Sequence, residues 1–82
     1  MNLYDFFWAV SKKIEPYGLN LFMQPTEKNT WLFVAQKDGL YSADHVTKRL
    51  IYEDEDLEMV SKAMINAFTR AEKRKKKNVP NV

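Results

Sequence analysis

The stretch TWLFVAQKDG (30–39) decides the fold. Trp31, Leu32, Phe33 and Val34 are the aromatic, aliphatic and β-branched side chains that suit a pleated, half-buried surface. Asp38–Gly39 ends the run with a dipeptide that readily takes the positive φ values of a tight hairpin turn. The pattern predicts a strand over 30–36 that turns back at 37–39. Upstream, LNLFMQ (19–24) has the same character, and Pro25 with Thr26–Glu27–Lys28–Asn29 separates the two runs. Downstream, LYSADHVTKRLIY (40–52) alternates poorly. Leu40, Val46, Leu50 and Tyr52 fall on one side, and Tyr41, Ala43, His45, Thr47, Arg49 and Ile51 on the other. That segment reads as one bent strand, two short strands, or a strand followed by a helical turn.

Outside these strands the period changes from two to 3.6. Leu3, Phe6, Phe7, Val10 and Ile14 recur at spacings of three and four, which predicts a helix over 2–15 with Trp8 beside its apolar stripe. Asn2 is placed to cap it, with Asp5 at the third helical position. Pro16 and Gly18 end it. A second stripe, Leu57, Val60, Met64, Phe68 and Ala71, predicts a longer helix flanked by Ile65 and Ala67. Asp54 or Asp56 can cap its start, and Glu58–Lys62 and Glu72–Lys76 are oriented as stabilising i,i+4 pairs. The expected fold class is therefore α+β. A small two- or three-stranded antiparallel sheet is flanked in sequence by an N-terminal and a C-terminal helix (α-β-β-β-α), both packing on one face.

The chain has 82 residues, 45% hydrophobic and 29% charged, an ordinary globular mixture for one domain. Residues 1–77 are expected to form a single compact domain, and Asn78–Val79–Pro80–Asn81–Val82 a mobile tail, because it carries little apolar load. MNLYDFFWAVSKK (1–13) has no basic residue before its apolar part, and Asp5 interrupts that part. It does not read as a secretion signal, and no window approaches the ~20 apolar residues of a membrane span. A cytoplasmic location, without membrane contact, is the expectation.

Little in the chain supports catalysis. There is no cysteine and one histidine, so thiolate chemistry, disulfides and Cys- or His-based metal centres are excluded. His45 has Ser42 and Asp44 nearby in sequence, but on an extended strand both point away from it. Glu53, Asp54, Glu55, Asp56 and Glu58 could offer oxygen to a divalent cation, yet no glycine follows Gly39 to build a calcium loop. With only Gly18 and Gly39, no phosphate-cradling loop exists. Met23, Met59 and Met64 read as core filling. The expectations are no enzyme activity, no metal, no cofactor and no small-molecule substrate.

Two surfaces remain. The central strand is apolar on both sides, Trp31 and Phe33 pointing one way and Leu32 and Val34 the other, so helices on one face leave an apolar row uncovered. Uncovered apolar patches mark contact surfaces. A protein partner or a homodimer is expected there, with Trp31 and Phe33 as anchors. The second surface is electrostatic. Residues 53–59 carry five acids and no base, and residues 60–82 seven bases and one acid. A helix dipole favours that polarity. Arg70, Lys73, Arg74, Lys75, Lys76 and Lys77 also form the one basic cluster, and weak, sequence-indifferent nucleic-acid binding is the alternative function.

The helix–strand–strand–strand–helix order resembles that of double-stranded RNA-binding domains. Modules of that family carry a lysine cluster at the start of their second helix. Here that place holds Glu53–Asp54–Glu55–Asp56–Leu57–Glu58, which repels phosphate, so the resemblance implies a fold and not RNA binding. Small phage-encoded CRISPR inhibitors are similar in size and element order, and a phage or mobile-element accessory protein is the expected origin.

Overall fold

The computed structural model describes residues 1–77, with side chains through Arg74. The tail expected at 78–82 lies outside the described residues. Helix α1 (Leu3–Ile14) starts as its sequence dictates, with the Asn2 side chain accepting from the Asp5 N–H at 2.8 Å. A 3-10 turn over Glu15–Tyr17 follows, and Gly18 at φ 77° lets the chain reverse into the sheet. Strands β1 (Asn20–Pro25), β2 (Thr30–Lys37) and β3 (Leu40–Thr47) form an antiparallel sheet in the order β1-β2-β3. Asp38 and Gly39 both take positive φ, 50° and 79°, as a two-residue hairpin turn of type I′ requires, and they set Lys37 opposite Leu40.

Residues 40–47 are thus one strand, and 48–53 form an irregular return. The aromatic ring of Tyr52 holds that return in the core, where it stacks on Phe6. Helix α2 runs over Asp54–Lys77. Its first turn is tied by Asp56, whose carboxylate accepts from the Glu53 N–H at 2.9 Å and from Arg49 Nη1 at 3.2 Å. Asp56 therefore acts from inside the helix, as the third residue of a capping box does, and not as the cap itself. Glu58, expected to pair with Lys62 along the helix, reaches instead to another element, as does Glu72, whose expected partner Lys76 has its side chain outside the described residues. Glu58 pairs with Lys13 of α1, and Glu72 lies 3.4 Å from Lys37 of β2.

Both helices pack on the same face of the sheet, α1 against β1 and α2 against β3. The core between them is Phe6, Val10 and Ile14 from α1, Val60, Met64 and Phe68 from α2, and Leu21, Phe33, Ala35 and Val46 from the sheet, closed by Leu19 and Tyr52. Phe33 sits at its centre, with Phe6 and Phe7 at 5.7 and 5.9 Å between ring centroids. Ala35 and Ser42, opposite each other in the register, put small side chains beneath the helices. Among the described residues no helix is long and apolar enough to cross a membrane.

Candidate interaction surfaces

The register settles which side of each strand is covered. Leu21, Met23, Trp31, Phe33, Ala35, Leu40, Ser42, Asp44 and Val46 face the helices, and the intervening residues form an open face. Phe33 is completely buried. It is a core residue and presents nothing to a partner, which corrects its expected role as an anchor. Trp31 lies on the same side, half-buried at the sheet's end, with the Lys48 ammonium 4.7 Å from its ring centroid. The uncovered row is the other set.

On the open face, cross-strand rows read Asn20–Gln36–Tyr41, Phe22–Val34–Ala43 and Gln24–Leu32–His45, with Thr30 opposite Thr47. Phe22 is 54% and Tyr41 67% exposed, and Leu32 and Val34 are half-buried by their neighbours alone. Among the described residues of the strands, no Asp, Glu, Lys or Arg lies on this face, in a chain that is 29% charged. The polar groups are amides and hydroxyls. Gln36 Nε2 donates to the Tyr41 hydroxyl at 3.4 Å, and Thr30 Oγ1 lies 3.5 Å from His45 Nδ1. The result is an apolar centre with an uncharged polar rim.

Opposite His45 in direction, Asp44 turns inward from the edge strand β3. Its Oδ2 is buried without a hydrogen-bond partner, and burial pushes its carboxyl above the usual carboxylate value, with the neighbouring His45 opposing. Ser42 also faces inward. The three residues weighed as a catalytic set are therefore divided between the two faces. Among the described residues no three His, Asp or Glu side chains come close enough to hold a metal ion.

The basic cluster lies on α2 beyond its packed part. Phe68 is the last buried side chain among the described residues, and Arg70, Lys73 and Arg74 are exposed. The helical backbone continues to Lys77, while the side chains of Lys75, Lys76 and Lys77 lie outside the described residues. The acids of 53–58 sit at the opposite end of the same helix.

A third feature is a cleft of about 370 Å³ along the outer edge of β1. Trp8, Ser11 and Glu15 of α1 line one wall, and Leu19, Asn20, Leu21 and Phe22 the other. Sequence periodicity placed Trp8 beside the α1 stripe, but its relation to a strand edge depends on where α1 lands. No family model matches the chain, and neither the curated proteins nor the solved structures give a match.

Proposed function

We infer that this chain is a small non-enzymatic binding module that associates with a second copy of itself through the open sheet face. The observation that supports the reading is the row Phe22–Val34–Ala43 set in a face without permanent charge. A twofold contact sets the centre of the patch against its own copy, so a fixed charge near the axis would meet a like charge. An apolar centre ringed by Asn, Gln and Thr meets its own copy without that penalty. The face covers on the order of 300–400 Å², from strand spacing and length. That is below the ~800 Å² per partner of a standard interface, so the association is weak and reverses on dilution.

Sedimentation equilibrium tests this directly. The average mass of the wild type should climb from monomer towards dimer as concentration rises into the high micromolar range. Val34→Lys, which places an ammonium at the centre of the patch, should hold the protein monomeric while it stays folded. A folded wild type that remains monomeric throughout overturns the reading.

A second reading, weak nucleic-acid binding, draws on α2 continuing as helix past Phe68, the last buried side chain among the described residues, with Arg70, Lys73 and Arg74 exposed. Such a strip neutralises phosphates without reading bases.

A further inference from the structure

We propose that the edge of β1 is a docking groove for one extended peptide segment of a partner protein, which adds as a fourth strand in the cleft beside α1. This goes beyond self-association through the open face and uses a different surface.

The two edges of the sheet differ in how they are guarded. Edge strands present unpaired N–H and C=O groups, and proteins commonly block them with charges, inward-turned charges included. The β3 edge carries Asp44, turned inward with its Oδ2 buried. The β1 strand, NLFMQP, has no charged residue, and its one obstacle is Pro25 at the far end. An incoming strand would therefore find hydrogen-bonding groups at β1 without a charge to bury.

The groove is also shaped for a strand. Neighbouring strands lie about 4.8 Å apart, and packed helices about 8–10 Å. Helix α1 packs against β1, and the cleft between them runs along the edge where a fourth strand would lie. Trp8, Ser11 and Glu15 form the roof of that position. Side chains of an added strand alternate between two faces. Those on the helix side would meet the Trp8 indole, 61% exposed, and those on the other side would lie beside Phe22.

The same spacings keep a second copy from pairing antiparallel at this edge. Pairing β1 with β1 of another molecule about a twofold axis would bring two α1 axes to about 5 Å, well inside the packing distance of helices. The occupant is therefore a bare segment without a helix above it. Its chemistry follows from the walls: apolar side chains on alternate positions facing Trp8 and Phe22, and a basic residue or amino terminus at the end nearest Glu15, the one charged group among the described residues that line the groove.

The test uses the full chain carrying Trp31→Phe, which leaves Trp8 as the sole indole, and a displayed library of short random peptides as the probe. Selected peptides, made free in solution, should share the alternating apolar pattern and shift Trp8 emission to the blue. They should also slow amide hydrogen exchange along β1. In the native sequence background, Trp8→Ala should weaken them about tenfold or more, as loss of an aromatic anchor does, while Val34→Lys on the open face leaves affinity unchanged. Failure to select any binder overturns the proposal. So does binding that survives Trp8→Ala but is lost in Val34→Lys, which would assign the peptides to the open face. Concentration-dependent protection of β1 amides without peptide in Val34→Lys, which cannot pair through the open face, would show that a second copy takes the edge, and would overturn it as well.

Discussion

The Tyr52 ring lies flat on Phe6, with centroids 4.4 Å apart and planes within 13°. Its hydroxyl donates to the Thr47 carbonyl at 2.8 Å and accepts from the Arg49 N–H at 3.2 Å. Its backbone pairs with Met1 in both directions, the Met1 amine donating to Tyr52 O at 2.7 Å and the Tyr52 N–H to Met1 O at 2.6 Å. One residue thus ends β3 and shapes the return to α2 with its side chain, and holds the N-terminus with its backbone. Tyr52→Phe keeps the stacked ring but leaves a carbonyl and an amide without their partner, and should cost about 1–2 kcal/mol. Tyr52→Ala removes the ring too and should cost roughly 3–5 kcal/mol. Urea unfolding of the three proteins measures both. Equal stability of Tyr52→Phe and wild type would mean that water satisfies the turn unaided.

Phe33 and Trp31 occupy the same side of β2 and should respond differently to truncation. Phe33→Ala opens a cavity against Phe6 and Phe7 and should lose about 3–5 kcal/mol. Trp31→Ala gives up partial burial and the Lys48 contact, the latter about 0.5–1 kcal/mol, and should leave a folded protein. Neither change should alter the dimerisation expected of the open face, except as Phe33→Ala lowers the folded fraction. Thermal melts with sedimentation on the same samples separate the two effects. If Trp31→Ala abolished association in a folded protein, the contact face would lie at Trp31 instead.

This pair also shows where the sequence could be read and where it could not. Asn2 with Asp5, and Asp38 with Gly39, announce a helix start and a hairpin turn because local backbone geometry alone demands such residues. The covered side of β2 is not a local property. Trp31 and Phe33 are as apolar as Leu32 and Val34, and only the landing of the helices chooses between the sets. Strand β3 even misleads, since its inward positions hold Ser42 and Asp44 among Leu40 and Val46. The groove at β1 was hidden for the same reason, because Trp8 becomes its wall only once α1 lies over that edge.

Asp44 should make stability depend on pH with an unusual sign. Its folded-state carboxyl titrates above the ordinary 3.8, chiefly through burial, so the folded protein holds its proton more tightly than the unfolded chain. Below the unfolded value both states are protonated and the residue costs nothing extra. As pH rises through the window up to the raised folded value, this group's contribution turns against the fold and stays so at neutral pH. Asp44→Asn removes that charge. The variant should melt higher than wild type at pH 7, and the gap should narrow towards pH 3. A gap that stays constant, or one that reverses at pH 7, would show that the ionised carboxylate is tolerated where it lies.

The basic end of α2 can be removed without touching the core, since Phe68 is the last buried side chain among the described residues and the Lys37–Glu72 contact remains in a chain ending at 72. Full-length and 1–72 proteins should therefore have melting temperatures within about 2–4 °C of each other, the range surface changes usually span in a domain of this size. Anisotropy of labelled duplexes and single strands then isolates the electrostatics. Duplex affinity carried by the cluster should fall with salt at a log–log slope of about 0.9 per phosphate neutralised. It should vanish in the truncated protein, and base sequence should not matter, because the exposed side chains there are cations without an aromatic platform. Binding retained by 1–72 would shift attention to the exposed aromatics of the open face, Phe22 and Tyr41, where bases could stack. Absence of binding at ~50 mM salt, where phosphate contacts are strongest, would leave the lysines as the positive end of a helix whose negative end is Glu53–Glu58.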